Sequence, residues 1–228
     1  MTTNGMYLIL LGPPGTGKGT QAKVIAGRLR LAHIATGDMF REAVQQGTEL
    51  GRKVKEYMDR GDLVPDKLSI AMLEERIQQA DAKQGAVFDG YPRTLQQGTA
   101  LAGALERQGK AIDLALHIAA TDDEIVQRLS GRWLCRSCGE IYHEVSRPPK
   151  QTGVCDACGG ELYQRDDDKP EVVRERLRRQ RPPEELLAYY RSAGKLVDVD
   201  GQQPVERVTE ELLSAIERST GQKARTGA

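Results

Sequence analysis

Five short stretches of consecutive hydrophobic residues recur along the chain, and each is followed by residues that commonly begin a helix. They are residues 7–11, 32–35, 86–89, 114–119 and 196–199, of which 32–35 is the weakest. Because the hydrophobic residues are continuous rather than alternating with polar ones, we expect each stretch to be a strand buried on both faces. Such strands are typical of a parallel sheet that helices cover on both sides.

Hydrophobic residues at helical spacing lie between these stretches and predict amphipathic helices. The predicted helices cover residues 39–46, 50–58, 67–79, 95–106, 124–129 and 205–216. A capping box, in which Thr121 and Glu124 each bond an otherwise unpaired backbone amide, is expected where the fifth of these helices starts. The alternation of strands and helices predicts an α/β fold built on a five-stranded parallel sheet.

Two segments interrupt this alternation and are expected to be insertions. Residues 36–64 predict helices but no strand, whereas residues 131–168 are polar, rich in Gly and Pro, and contain every cysteine of the chain. The core is therefore predicted to comprise residues 1–35, 65–130 and 169–218. Residues 219–228 show no hydrophobic periodicity and are expected to form a flexible tail.

The charge balance excludes some classes of partner. The chain has 33 Lys and Arg residues and 33 Asp and Glu residues, so its net charge does not favour nucleic acid or anionic lipid. No hydrophobic run approaches the about 18 residues of a membrane span, and the first one lacks the flanks of a signal peptide. We therefore expect a cytoplasmic protein with reduced thiols and with neither nucleic-acid nor membrane partners.

A glycine-rich loop joins the first predicted strand to a helix. Its sequence, GPPGTGKGT at residues 12–20, contains the pattern G-x-x-x-x-G-K in the strand–loop–helix context that confirms it as a phosphate-binding loop. Backbone amides, the helix dipole and the Lys18 ammonium together suit a polyphosphate. Gly19 occupies the place of the usual magnesium-binding hydroxyl, so we expect the nucleotide and water to hold Mg²⁺, with Asp89 at a strand end ordering that water.

The cysteines form two C-x-x-C pairs, Cys135 with Cys138 and Cys155 with Cys158. Their separation and the glycines that follow each pair are typical of a four-thiolate zinc site. Four protein ligands leave no open coordination position, so the metal is expected to be structural. Segment 131–168 is also shorter than the about 40 residues that usually fold on their own core, so zinc is predicted to stabilise it.

Several arginines are predicted to face an anion. Arg41 and Arg93 follow strand ends, at the edge of a parallel sheet where ligands bind. Arg176 falls on the apolar face of a helix that begins after Pro170, so it needs either an internal acid or a bound anion. Other arginines flank the cysteine segment or lie on the solvent side of that helix: Arg128, Arg132 and Arg165 in the first group, Arg174, Arg178 and Arg181 in the second.

With these features the chain resembles the adenylate kinases, in the long form with a zinc-binding lid. The resemblance spans residues 8–216 and rests on residues 12–21 (GPPGTGKGTQ), 36–39 (TGDM), 89–93 (DGYPR), 131–132 (GR), 163–167 (YQRDD), 200–201 (DG) and the four cysteines. Gly19 is that family's own pattern. The resemblance implies a monomer of the phosphate-loop nucleoside monophosphate kinase type, which converts ATP and AMP into two ADP with Mg²⁺.

The resemblance also implies a role for individual residues. The residues expected to bind ATP are Gly15, Thr16, Gly17, Lys18, Gly19, Thr20, Arg132, Ile141, Tyr142 and Gln203. The residues expected to bind AMP are Thr36, Arg41, Asp62, Leu63, Val64, Gly90, Tyr91, Pro92, Arg93, Gln97, Arg165 and Arg176. The residues expected to act on the transferring group are Lys18, Arg93, Arg128, Arg132, Arg165 and Arg176, with Asp167 and Asp168 fastening the lid or orienting its arginines.

Some alternatives stay open at this point. The Gln97 amide offers a donor beside an acceptor, which suits adenine, but spacing alone also allows a surface glutamine. The chain departs from the family pattern near Pro182 and Pro183, which are expected to break the helix there. The rival functions are a kinase of UMP, CMP or GMP, and a zinc-ribbon ATPase that binds nucleic acid through residues 131–181.

Overall fold

The computed structural model describes residues 5–221, which form two sheets surrounded by helices. The strands are β1 Met6–Leu11, β2 Ala32–Ala35, β3 Gly85–Asp89, β4 Leu114–Ala119, β5 Arg132–Cys135, β6 Ile141–His143, β7 Leu162–Tyr163 and β8 Leu196–Asp200. The larger sheet has five parallel strands in the order β2-β3-β1-β4-β8. The predicted α/β class and five-stranded parallel sheet are therefore confirmed.

The helices lie on both faces of this sheet and in the first insertion. They are α1 Lys18–Leu29, α2 Thr36–Gln45, α3 Glu49–Asp59, α4 Asp66–Arg76, α5 Leu95–Glu106, α6 Asp122–Ser130, α7 Pro170–Gln180, α8 Glu184–Ser192 and α9 Val205–Thr220, with short 3-10 helices at Ala82–Gln84 and Asp166–Asp168. Within residues 5–221 none of them combines the length and hydrophobicity that a membrane span needs.

Alternate residues of the central strand serve two separate hydrophobic layers. On β1, Tyr7 and Ile9 pack into the layer under α5 and α8, whereas Leu8 and Leu10 pack into the layer under α1 and α9. All four side chains are almost fully buried. This two-sided burial explains why the strand sequence is hydrophobic without alternation.

Helix α9 runs further than its hydrophobic pattern predicts. It continues through Thr220, so the first residues of the expected tail are helical, and Gly221 ends the helix with a left-handed backbone. The rest of the predicted tail, residues 222–228, lies outside the described residues. Helix α4 differs in the opposite direction, since it ends at Arg76 although its pattern predicts residue 79.

The predicted capping box at the start of α6 is wrong. The Thr121 hydroxyl donates to Gln202 Oε1 at 3.0 Å instead of bonding its own helix, and the Glu124 carboxylate pairs with Arg128 Nε at 2.6 Å. No side-chain hydrogen bond therefore caps the first turn of α6. The predicted break at Pro182 and Pro183 is confirmed, because α7 ends at Gln180 and α8 begins at Glu184.

Both insertions project over the carboxyl edge of the large sheet. Residues 36–64 form α2 and α3, as predicted, whereas residues 131–168 contain the antiparallel sheet β6-β5-β7, which the sequence pattern does not reveal. This second insertion, called the flap below, touches the core where Lys23 Nζ donates to Gly139 O at 3.5 Å. It also touches the first insertion through an Arg165–Asp38 ion pair at 3.5 Å.

Candidate active site

The phosphate loop occupies residues 12–17, between the end of β1 and the start of α1. Its first glycine cannot be replaced without strain, because Gly12 has φ +139° and a Cβ there would lie 2.3 Å from the Ile118 carbonyl oxygen. Gly17, with φ +90°, is the N-cap of α1 and supplies no capping side chain. The helix therefore begins with unpaired amides and its positive dipole end turned to the loop, which is the arrangement that binds phosphate.

Gly19 leaves room for a carboxylate beside the loop. A Cβ at this position would lie 3.2 Å from Asp89 Oδ2, closer than most side chains tolerate. Asp89 ends β3, the neighbour of β1, and its Oδ2 is 3.5 Å from His33 Nε2. Gly19 thus offers no hydroxyl to a ligand, but the Asp89 carboxylate lies beside it at the start of α1.

Lys18 is buried within this loop. Its ammonium donates to the Pro13 carbonyl at 2.6 Å, and the residue is only 6% exposed. Burial lowers the pKa of Lys18 to about 7, and the guanidinium groups of Arg93, Arg176 and Arg132 act in the same direction. The loop therefore holds a cation whose charged form is costly until an anion arrives.

A buried acid organises two of these guanidinium groups. Asp168 is fully buried and accepts two hydrogen bonds from Arg132, at 2.8 and 2.6 Å. Arg176 Nη1 lies 3.4 Å from the same carboxylate and 3.0 Å from Asp167 Oδ2. The internal salt bridge considered for Arg176 is therefore present. Burial lowers the pKa of Arg176, and the two acids offset part of that shift.

A second acid holds arginines of both insertions. Asp38 accepts from Arg41 at 2.6 Å and pairs with Arg165 of the flap. Arg165 Nε is buried and has no hydrogen-bond partner among the described residues. Burial lowers the pKa of Arg165, and the neighbouring Arg41 and Arg132 lower it further. Positive charge thus exceeds what the local acids compensate, which favours an anionic ligand.

A cavity lies between the first insertion, the end of β3 and α7. Most of the predicted AMP-binding residues line it, namely Thr36, Arg41, Asp62, Leu63, Val64, Gly90, Tyr91, Arg93, Gln97 and Arg176. Pro92 and Arg165 belong to the predicted set but do not line it. The cavity combines cationic walls with apolar ones, so it suits a molecule with an anionic end and an apolar part.

The four cysteines converge within the flap. Their Sγ atoms all lie within 4.8 Å of one another, with Cys135 and Cys158 3.5 Å apart and Cys138 and Cys155 3.6 Å apart. A tetrahedral zinc with bonds of about 2.3 Å requires sulfur separations near 3.8 Å. The cluster therefore fits a zinc ion.

The two cysteine turns share one backbone pattern. Gly139 N donates to Cys135 O, and Gly159 N donates to Cys155 O in the equivalent turn. Both glycines have φ near +70°, at 70° and 72°. Each turn thereby aims two thiolates at one point, as the glycines after each C-x-x-C pair predict.

The sequence matches a known protein family over most of its length. The family model for adenylate kinase matches residues 10–195. An adenylate kinase of Archaeoglobus fulgidus is 50% identical over 214 residues, which cover 93% of this chain and 99% of that protein. An adenylate kinase of Caldicellulosiruptor bescii is 49% identical over 214 residues, which cover 92% of this chain and 99% of that protein. An adenylate kinase of Streptomyces avermitilis is 46% identical over 220 residues, which cover 96% of this chain and 100% of that protein.

The chain belongs to the adenylate kinase family. The resemblance seen in its motifs is therefore confirmed, and a phosphotransferase is favoured over the zinc-ribbon ATPase considered above. As an adenylate kinase family member the chain is a nucleotide-binding transferase, and its four-cysteine cluster can hold a metal.

Three further predicted residues, Arg128, Gln203 and Ile141, do not line the cavity. Arg128 Nη1 donates to the Gly201 carbonyl at 2.8 Å, so its guanidinium is tied to the loop after β8. Gln203 lies in that loop, and its amide bonds Asp200 O at 3.3 Å. Ile141 is half-buried in β6 of the flap. The loop after β8 approaches the phosphate loop, since a Cβ at Gly201 would lie 3.2 Å from Thr16 O. The roles of Arg128, Gln203 and Ile141 stay predictions.

The Tyr142 side chain is buried beside the cysteine cluster. The residue is 3% exposed, and its hydroxyl accepts from Asp156 N at 2.8 Å while lying 3.5 Å from Cys155 Sγ. Since the hydroxyl accepts from an amide, its own hydrogen is left for the thiolate. The Tyr142 side chain thus supports the cysteine cluster, so only its backbone is left to contact a nucleotide.

Sequence reasoning missed part of the cavity wall. The additional lining residues are Gly37, Phe40, Met58, Ser69, Asp167 and Gln180. Phe40 and Gly37 lie within or beside a predicted helix next to Arg41, so helical spacing could have suggested them. Gln180 could not have been found locally, because its amide donates to Gly61 O across 119 positions of sequence.

Removal of one cysteine should release the metal. We expect Cys155→Ala to lose bound zinc and to lower the Tm by at least about 4 °C, equivalent to ~1–2 kcal/mol, because three thiolates hold zinc less tightly. Elemental analysis measures the zinc content, and calorimetry measures the Tm. Ser137→Ala, in the equivalent turn between Cys135 and Cys138 but without a ligand atom, should keep both. A reduced wild type that binds no zinc and whose Tm ignores added zinc or chelator would contradict the assignment.

Proposed function

We propose that the protein transfers the terminal phosphoryl group of ATP to AMP, reversibly, and so produces two ADP. The observation that carries this proposal is one cationic cleft that joins the phosphate loop to the cavity. Lys18 belongs to the loop, and Arg93 and Arg176 line the cavity, yet these guanidinium groups lie close enough to lower the Lys18 pKa. Two anions can therefore meet across a short distance.

The electrostatics explain why so many cations are gathered. ATP carries about four negative charges and AMP about two, so the two nucleotides repel each other before any chemistry begins. Phosphoryl transfer requires in-line positioning and charge stabilisation rather than a protein nucleophile. We therefore assign the transferring group to Lys18, Arg93, Arg128, Arg132, Arg165 and Arg176.

The division of the cleft into two nucleotide sites follows the family's pattern. We assign the ATP phosphates to residues 15–20, and AMP to the cavity that Thr36, Arg41 and Gln97 line. Mg²⁺ bound with ATP would neutralise part of the negative charge of the phosphates. Because Gly19 offers no hydroxyl, we assign Mg²⁺ to the nucleotide and to water, and Asp89 to the ordering of that water.

The flap is assigned the exclusion of water, which would otherwise accept the phosphoryl group and waste ATP. The flap contacts the core at Lys23 and the first insertion at Asp38, so it spans the cleft. Zinc is proposed to stabilise the flap rather than to take part in the reaction. The division into residues 36–64, 131–168 and the remaining core, the monomeric state and the cytoplasmic location stay predictions.

A direct assay tests the proposed reaction. Purified protein mixed with ATP, AMP and Mg²⁺ should produce ADP, which chromatography measures. The kcat/KM with AMP should exceed that with CMP, UMP or GMP at least about 100-fold, because a hydrogen-bonding base site rejects mismatched bases. Omission of AMP is the control for ATP hydrolysis. Equal turnover with CMP or UMP would remove AMP as the acceptor.

Two arginines of α7 provide a matched pair. Arg176 lines the cavity and is 9% exposed, whereas Arg174 faces solvent. We expect Arg176→Ala to lower kcat/KM by about 10³-fold, as loss of an arginine that stabilises transferring phosphate does, and Arg174→Ala to stay within about twofold of wild type. Since Arg176 also pairs with buried Asp168, Arg176→Lys keeps the charge and should fold with intermediate activity. The reverse order of the two alanine variants would refute the assignment.

The lowered pKa of Lys18 predicts proton uptake on nucleotide binding. Above its pKa of about 7 the free ammonium is largely deprotonated, whereas a bound triphosphate favours the charged form, so binding near pH 8 should take up about one proton. Affinity should therefore fall as pH rises above about 7. Calorimetry of a nonhydrolysable ATP analogue in buffers of different ionisation enthalpy measures this uptake. Lys18→Met should abolish it, and equal uptake in both proteins would contradict the assignment.

A further inference from the structure

Asp66 contacts the cavity only through another side chain. It is the first residue of α4, and its Oδ1 accepts from Gln97 Nε2 at 2.8 Å. Its Oδ2 accepts from the Thr94 hydroxyl at 2.7 Å. Thr94 in turn is the N-cap of α5 and accepts from Gln97 N at 3.1 Å. One carboxylate thereby joins the start of α4 to the start of α5.

The Gln97 amide is also held from its other side. Its Oε1 accepts from the backbone amide of Arg93 at 2.7 Å, and Gln97 is 2% exposed. An ionised carboxylate can only accept hydrogen bonds, and a backbone N–H can only donate them. A flipped amide would place Oε1 against Asp66 and its NH₂ group against the Arg93 N–H. Both contacts would be repulsive, so the surroundings allow one orientation.

Part of the amide is left over for a ligand. The Nε2 group has two hydrogens and Oε1 has two lone pairs, and the contacts with Asp66 and Arg93 use one of each. Gln97 lines the cavity together with Thr36, Val64 and Ser69. The remaining N–H and lone pair therefore form an oriented donor and acceptor pair at a partly apolar wall.

Purines differ in what they offer to such a pair. A 6-amino purine presents an exocyclic N–H donor beside the ring N1 acceptor, and a 6-oxo purine presents the reverse, a carbonyl acceptor beside an N1–H donor. An amide that could flip would serve both. An amide held in one orientation serves only one of them, and it leaves mismatched groups buried against the other.

We propose that Asp66 is a specificity-determining positioning residue, which holds the Gln97 amide in the orientation that accepts 6-amino purine monophosphates and rejects 6-oxo ones. This rests on the proposed function, since it concerns the acceptor nucleotide of that reaction. Asp66 touches no substrate. It acts through Gln97, and the Arg93 amide acts with it from the opposite side.

An acid in the first turn of a helix also has a purely structural use, because it interacts favourably with the helix dipole. The test therefore needs a readout that helix stability does not move. Inosine monophosphate is a suitable probe, because it differs from AMP only by a 6-oxo group and the N1–H that accompanies it. The ratio of kcat/KM for AMP to kcat/KM for inosine monophosphate reports the amide orientation.

We expect Asp66→Ala to lower this ratio at least about tenfold, mainly through a higher KM for AMP, while the KM for ATP stays unchanged. A tenfold loss corresponds to about 1.4 kcal/mol, which is within the range for one buried hydrogen bond. Asp66→Asn should restore most of the ratio, because its carbonyl can still accept from Gln97. Asp66→Ser keeps a helix-starting side chain too short to reach Gln97. It should fold and show the same loss as alanine, even if Asp66→Ala fails to fold.

Thr48→Ala is the matched structural control. Thr48 is the N-cap of α3 and accepts from Gly51 N at 3.0 Å, so its loss weakens a helix start without touching Gln97. It should lower the Tm and leave the AMP preference intact. A wild-type AMP-to-inosine monophosphate ratio in Asp66→Ser, or a loss of that ratio in Thr48→Ala equal to the loss in Asp66→Ser, would overturn the role of Asp66 but not the proposed function. A wild type that does not phosphorylate AMP would instead overturn the proposed function.

Discussion

The site depends on mutual repulsion among cations that the fold holds together. Burial depresses the pKa of Lys18, and Arg93, Arg176 and Arg132 lie close enough to depress it further because little water screens them. Asp168 offsets part of this repulsion by accepting from Arg132 and Arg176 at once. Burial alone would raise the pKa of Asp167, yet Arg176 and other guanidinium groups hold it below its ordinary value, which shows that positive potential dominates the cleft. An anion entering this cleft completes the compensation that the acids begin.

Such an arrangement requires rigid supports, because flexible side chains would simply turn towards solvent. The large sheet provides one support, since β1 and β3 end side by side and place the phosphate loop beside Asp89. The flap is weaker, because its buried cluster contains only Cys135, Tyr142, Cys155 and Leu162 among the described residues, with Trp133 packed against it. So few apolar side chains do not compensate the conformational entropy of an ordered segment, and a metal bound by the four cysteines would supply the difference. The proposed zinc would therefore also affect the charge of the cleft, because Arg165 of the flap can reach Asp38 only if the flap itself is folded.

Much of the fold could be predicted from the sequence, because burial on both faces makes strands such as residues 114–119 uniformly hydrophobic and glycines mark the phosphate loop. The exceptions have physical causes. The strands of the flap are only two to four residues long, which is too short to carry a periodic signal. The capping box is absent, and the Thr121 hydroxyl instead donates to Gln202, a contact 81 positions away in sequence that local spacing does not show. In the site, residue type and motif identify the arginines and Gln97, but their acid partners depend on tertiary contacts. Asp66 illustrates this, since nothing in its local sequence separates it from any other acid at the start of a helix.

Acid partners also explain how a cleft of arginines can be ordered before a substrate is present. A guanidinium that is already hydrogen-bonded loses little further side-chain entropy when a phosphate replaces its carboxylate partner, so the exchange requires little reorganisation. Asp38 is the clearest place for such an exchange, because it is exposed and bridges Arg41 of the first insertion and Arg165 of the flap. Asp168 is different, since it is fully buried and cannot easily be displaced. In the proposed reaction the exposed acid would yield its arginines to phosphate, while the buried acid keeps Arg132 and Arg176 aimed at the transferring group. Preorganisation of this kind stabilises the transition state more than the separate nucleotides, which is the requirement for catalysis.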